Sequence, residues 1–167
     1  MSTVSTRTAL SVNTFLDFCR QHQAEMLALL QRMVEIESPS DNKAAVDRMG
    51  EFLAREFERI GGQVTIYPQE TAGNHLKAEF GAGAPEPRRV CAGWGEGGPG
   101  KPVLLLGHFD TVWSMGTLAG MPFRIDAGRA YGPGVYDMKA GITMMIFAVR
   151  ALQEAGAAHR PAARRAR

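Results

Sequence analysis

The sequence predicts an α/β domain, a mixed sheet sandwiched by helices, and three observations carry that expectation. Two stretches before residue 61 repeat apolar residues at helical spacing, the run Val103-Leu104-Leu105-Leu106 is continuously apolar and of strand length, and helical spacing returns from Lys139. A strand without alternation suits a position covered on both faces, which a sheet flanked by helices provides. At 167 residues the chain is long enough for one domain with a hydrophobic core.

The elements follow in order. Met1 to Val12 is rich in Ser and Thr and is expected to be frayed. One helix is predicted from Asn13 or Thr14 onward, because Leu16, Cys19, Met26, Leu27, Leu30, Met33 and Val34 share its spacing. Ser38-Pro39-Ser40 ends it, since proline disfavours helix in the residue before it. A second helix reads from about Asn42 to Ile60, with Val46, Met49, Phe52, Leu53, Phe57 and Ile60 on one face and Gly61-Gly62 as a left-handed stop. Val64 to Tyr67 alternates as a strand, with His75 to Phe80 as its partner beyond a turn at Thr71 to Asn74. Gly81 to Lys101 is dense in Gly and Pro and reads as loop, with a short strand near Val90. Beyond the apolar run, Phe123 to Asp126 reads as a short strand turning at Gly128. A last helix carries Ile142, Met145, Ile146, Val149 and Leu152 as far as Gly156. No internal repeat is present.

Composition narrows the partners. A formal charge of +2 is too small to imply a nucleic acid or a membrane, and it is concentrated in Arg160, Arg164, Arg165 and Arg167. Cys19 and Cys91 are far apart and form no Cys-x-x-Cys pair, so neither a disulfide framework nor a thiolate zinc site is expected. The first twenty residues lack the apolar run of a secretory signal, and no stretch reaches the ~20 apolar residues that span a bilayer. Cytoplasmic residence is the resulting expectation.

Two segments hold chemistry. His108 and Asp110 follow the apolar run directly, where α/β sheets collect functional groups past the carboxyl ends of strands. Two positions apart in extended chain, their side chains lie on one side, so Asp110 can orient a metal-binding His108 from behind. The alternative for His108 is a hydrogen-bonded structural histidine. In Tyr131-Gly132-Pro133-Gly134-Val135-Tyr136-Asp137-Met138-Lys139-Ala140-Gly141, flanking glycines allow tight turns that can aim Asp137 inward. Standing just before a helix, Asp137 reads equally as an N-cap. The two roles are compatible, because a carboxylate has two oxygens.

Taken together, Gly-His-x-Asp-Thr-Val at 107–112 and Gly-x-Gly-x-x-Asp-x-Lys-x-Gly at 132–141 resemble a large two-zinc metallopeptidase and deacylase family. That family contains glutamate carboxypeptidase, acetylornithine deacetylase, succinyl-diaminopimelate desuccinylase and the aminoacylases. The resemblance is strongest to the glutamate carboxypeptidase branch, through Thr111-Val112-Trp113, Pro122-Phe123-Arg124 and Ala130 to Gly134. It reaches back to Val34-Glu35-Ile36-Glu37-Ser38-Pro39-Ser40-Asp41, covering roughly Leu16 to Gly156. It implies that His108 ligates one zinc, that Asp137 bridges two, and that Asp110 orients His108. Two zinc ions sharing a carboxylate lower the pKa of bound water and polarise a carbonyl. The implied substrate is a small peptide, a folate-type compound or an N-acyl amino acid, with release of a carboxy-terminal glutamate or similar amino acid. A homodimer is implied for the complete enzyme.

The sequence departs from that pattern after the last helix. The family's base and next ligand are an adjacent Glu-Glu pair, and no Glu-Glu occurs here. Residues 157–167 form an Ala/Arg-rich run, as a GC-rich gene read in another frame would give. The expectation is therefore an N-terminal part of a catalytic domain at 13–156, lacking the C-terminal half and the smaller dimerisation domain. Weak or absent zinc binding and no turnover are expected of the chain by itself, since a catalytic zinc normally has three protein ligands. His159 in the tail is not expected to substitute, and His22 and His75 read as surface or structural residues. An unpaired apolar strand would also make the fragment prone to aggregate. Two competing readings are a non-catalytic remnant of the fold and an amino-acid deacylase. A dinucleotide-binding module is disfavoured, because Gly132-Pro133-Gly134 lacks the third glycine at the required spacing.

Overall fold

The computed structural model describes residues 12–81 and 103–155. The expected frayed start, the strand near Val90, Cys91, His159 and the Ala/Arg tail lie outside the described residues.

Helix formation follows the apolar spacing, with one correction. The first predicted helix is two, α1 (Val12–Gln21) and α2 (Gln23–Glu35). At the break, His22 turns its ring back to the carbonyl of Phe18 (Nδ1 to O, 2.9 Å) and stacks on the Phe18 ring at 4.1 Å. The Phe18 carbonyl also keeps its bond from the His22 N–H at 3.0 Å, and the break lies in the His22 backbone, whose φ −101° and ψ 10° depart from the helix. Helix α3 (Lys43–Arg59) begins where expected, its first turn capped by the Asn42 side chain accepting from the Ala45 N–H at 3.1 Å. It ends in paired bonds, Gly62 N–H to the Phe57 carbonyl and Gly61 N–H to that of Glu58, both 2.9 Å. That closure needs a left-handed residue, and Gly61 supplies it with φ +83°.

Strands β1 (Gln63–Tyr67) and β2 (His75–Glu79) pair antiparallel, with Val64 opposite Ala78 and Ile66 opposite Leu76, and pack against α3. Beyond a short helix α4 (Thr117–Gly120), strands β3 (Arg124–Asp126) and β4 (Arg129–Tyr131) form a second hairpin around Gly128. An irregular turn, Val135–Lys139, leads into α5 (Ala140–Glu154). Helices α1, α2, α3 and α5 bury Phe18, Leu29, Met33, Val34, Met49, Leu53, Ile142, Ile146 and Phe147 in one core. Each such side chain contributes roughly 1.5–3 kcal/mol by leaving water.

The apolar run is the second correction. Val103 to Leu106 forms no strand ladder among the described residues, and Leu104 and Leu106 are 82% and 81% exposed. A strand needs a hydrogen-bonding neighbour, and no described segment lies beside this one to be it. The parallel pairing that does form is a single bridge just beyond the run, Pro39 opposite Thr111. Among the described residues no helix is long and apolar enough to cross a membrane.

Candidate metal site

The bridge at Thr111 organises the site. The Thr111 N–H donates to the Ser38 carbonyl at 2.8 Å, and the Ser40 N–H donates to the Thr111 carbonyl at 3.0 Å. Buried Ser38 adds its hydroxyl to the Phe109 carbonyl at 2.7 Å. The segment after α2 thus lies along His108–Thr111 and holds it extended.

From the other side comes the glycine-rich turn. Gly134 has φ +72°, and a Cβ there would lie 2.5 Å from the Thr111 side chain, so only glycine lets the two segments meet this closely. Asp137 lies off helical backbone (φ −123°, ψ 97°), and its peptide bond to Met138 is cis. The N-cap alternative for Asp137 therefore falls away: α5 starts at Ala140, and no side chain caps it.

The structure brings the three candidate residues together. His108 Nε2 lies 2.9 Å from Asp137 Oδ1, and His108 Nδ1 lies 3.1 Å from Asp110 Oδ1 and 3.2 Å from the Asp110 carbonyl. Carboxylates thus face both ring nitrogens, that of Asp137 at the shorter distance. Burial pulls the His108 pKa down, but the Asp137 and Asp110 hydrogen bonds outweigh it and leave the pKa raised. The pair is open to solvent, with side chains 47% and 74% exposed. A cavity of about 370 Å³ surrounds it, with Ser40, Trp113, Gly132, Val135 and Tyr136 also on its walls.

The donor chemistry fits a cation in part. With Nδ1 protonated, Nε2 and the Asp137 oxygen are both electron-pair donors, so a positive centre must lie between them, either a proton or a metal ion. Donors ~2.0–2.1 Å from one zinc come this close when the angle between the bonds is about 90°. Asp110 is turned to the opposite ring nitrogen, and among the described residues no group of three or more His, Cys, Asp or Glu side chains is arranged as a metal cage. A larger surface hollow of about 450 Å³ carries Glu35, Glu37, Arg48, Glu51 and Arg55. Its charges are mixed, and it has no such donor pair.

Two contributions to this site escape a reading of the sequence. Ser40 donates its hydroxyl to Asp110 Oδ2 at 2.6 Å. Lys139, only 1% exposed, donates to the carbonyls of Met33 and Ile36 at 2.9 Å each. Burial pushes its pKa down to about 8, opposed by Glu37. The only sequence signal for either was its place inside a resembling motif. Glu37 also accepts from the N–H groups of Gly116 and Leu118, at 2.9 Å each, which fastens the segment between Trp113 and α4.

The chain is similar to known peptidases and hydrolases. The profile of peptidase family M20/M25/M40 matches residues 104–162. Carboxypeptidase G2 of Pseudomonas sp. (strain RS-16) is 29% identical over 146 residues, 86% of this chain and 32% of that protein. A putative [LysW]-lysine/[LysW]-ornithine hydrolase of Pyrococcus furiosus is 28% identical over 124 residues, 74% of this chain and 29% of that protein. The crystal structure of human carnosine dipeptidase 1 superposes with a TM-score of 0.62 at 23% identity, over 86% of this chain and 31% of that one, a likeness of fold. The chain thus spans about a third of the length of the relatives it matches.

Proposed function

We propose, from the match of residues 104–162 to the profile of peptidase family M20/M25/M40, that this chain carries the first metal-holding part of a zinc hydrolase that cleaves a peptide or amide bond to release an amino acid. The observation that carries the proposal is the 2.9 Å approach of His108 Nε2 to Asp137 Oδ1, two donors facing each other across an open cavity.

In this reading His108 and Asp137 would be the residues that hold zinc. The metal pair supplies an activated water and a polarised carbonyl. The chain's own residues do the positioning. Asp110 keeps the Nδ1 proton of His108 in place, so that Nε2 is presented as a lone pair. Trp113 and Tyr136 at the cavity rim offer flat apolar surface to a substrate.

The motif resemblance to the glutamate carboxypeptidase branch, beside the likeness to a carboxypeptidase, favours a carboxy-terminal glutamate or a similar amino acid as the released group, as from a folate-type or N-acyl-glutamate substrate. The likeness to a lysine or ornithine hydrolase favours the second reading, an amino-acid deacylase acting on a basic product. Both share the same bond and the same metal chemistry. The chain by itself is expected to be inactive, because it supplies two ligands and its sequence has no Glu-Glu to serve as base. Loss of a general base alone costs ~10²–10⁴ in rate.

The test is a calorimetric zinc titration of the chain beside an assay on N-acyl-glutamate and N-acetylornithine. Zinc uptake that His108→Ala and Asp137→Ala abolish supports the site. Uptake that both variants retain, or full turnover by the chain alone, overturns the reading.

A further inference from the structure

The ring of His108 is half-exposed, so packing alone does not hold it, and hydrogen bonds have to set its orientation. Its partner Asp110 is itself 36% exposed at the side chain. A carboxylate at such a surface turns about its last bond and trades its hydrogen bonds with water unless one of its oxygens is held. Ser40 holds one. Its hydroxyl lies 2.6 Å from Asp110 Oδ2 and 3.2 Å from the Thr111 carbonyl. A hydroxyl has one hydrogen to give, and the nearer, charged acceptor takes it. Ser40 is in turn fixed through its backbone, by its N–H bond to the Thr111 carbonyl and by the neighbouring bond from Thr111 N–H to Ser38. A line of contacts therefore runs from Ser40 to Asp110 Oδ2, across the carboxylate to Oδ1, on to His108 Nδ1, and through the ring to Nε2 facing Asp137.

We propose that Ser40 is a positioning residue for this site: by anchoring Asp110 Oδ2 it keeps the carboxylate seated on His108 Nδ1 and so holds the ring with Nε2 toward Asp137. The value of that arrangement as a metal site rests on the function proposed above, whereas the ring orientation it sets does not. A residue that merely ended α2 and tied down a loop would stabilise the chain without touching the ring's tautomer.

The experiment compares Ser40→Thr with Ser40→Val in the full chain. The two have the same shape and differ in the hydroxyl, and circular dichroism establishes that both are folded. Should Ser40→Val unfold, the milder Ser40→Ala takes its place against the same Ser40→Thr. Long-range proton–nitrogen spectra of histidine-labelled protein, assigned with His108→Gln, read the tautomer about two pH units above the ordinary imidazole value of ~6.5. The share of the Nδ1–H form should be the same in the wild type and Ser40→Thr and lower in Ser40→Val, where the loosened Asp110 competes less well with Asp137 for the ring proton. Zinc affinity should fall roughly 3- to 10-fold in Ser40→Val and stay within about twofold in Ser40→Thr, below the ~10–100-fold cost of losing a direct outer-shell partner. Identical tautomer populations in both variants overturn the proposal. Zinc that leaves the wild-type His108 signals unmoved overturns the metal reading instead, with the tautomer comparison still deciding the role of Ser40.

Discussion

The ammonium of Lys139 donates to the carbonyl of Met33 at 2.9 Å, and through it the turn bearing Asp137 is fastened to the end of α2. A second bond reaches the Ile36 carbonyl at the same distance. The last carbonyls of a helix have no intrahelical partner, and a cation there satisfies them and complements the helix dipole.

Replacing Lys139 by Met keeps the volume, takes the donor from the part-buried Ile36 carbonyl and leaves that of Met33 with only its 3.3 Å bond from the Ile36 N–H. The expected loss is about 1–3 kcal/mol, the cost of an unsatisfied buried polar group. Urea unfolding measures it. An unchanged midpoint would mean that burying the ammonium costs as much as its two bonds return.

His108 and Asp137 predict the opposite division between stability and function. Both side chains are largely solvated, so His108→Ala and Asp137→Asn should move stability by no more than about 0.5 kcal/mol. Zinc affinity should nevertheless fall by more than the ~10–100-fold typical of an outer-shell partner. Thermal melts and zinc titrations on the same samples separate the two effects.

Leu104 and Leu106 stand in solvent at the edge of an extended segment with no ladder partner among the described residues. The double change to Lys should leave the unfolding midpoint within about 0.5 kcal/mol. It should also lower self-association, since a charged edge discourages strand addition. Light scattering against concentration checks this.

Asp47 supplies a pH dependence. Its carboxylate accepts from Lys43 Nζ and from the Asn74 N–H, both at 2.8 Å, tying α3 to the turn before β2. First the Lys43 bond and then the Asn74 bond hold its pKa below the usual 3.8. A pKa lowered on folding contributes stability that is complete above the unfolded value and is lost as pH falls through the folded one. With its side chain 24% exposed, Asp47→Asn should cost about 1–2 kcal/mol at neutral pH, in the range of a partly screened charged hydrogen bond. As the pH falls through the lowered folded value the two proteins should converge, which urea unfolding across the acid range will show.

Much of this was legible in local pattern. Helix α3 with its Asn42 cap and Gly61 stop, the hairpin from Val64 to Glu79, and the turn at Gly128 all depend on neighbours in sequence, and they stand where spacing places them. The short separation of His108 and Asp110 likewise forecast their contact. The break at His22 was not legible, because it is a small backbone departure at one residue inside an uninterrupted apolar spacing. Nor was the pairing of Val103 to Leu106, since an apolar run records a preference for burial and cannot name the strand that would satisfy it. Ser40 and Asp110 meet across 70 residues, and no periodicity encodes a partner so distant.

That last separation also bears on how the chain folds. The Pro39–Thr111 bridge closes a loop of roughly 70 residues, at an entropic cost near 4 kcal/mol by the logarithmic length law. Helices α2 and α3 can form on local contacts long before that closure, as non-local pairings are slow to arrive. The ligand pair should therefore acquire its geometry late in folding, and pulse-labelled hydrogen exchange should find the Thr111 amide protected after those of α3.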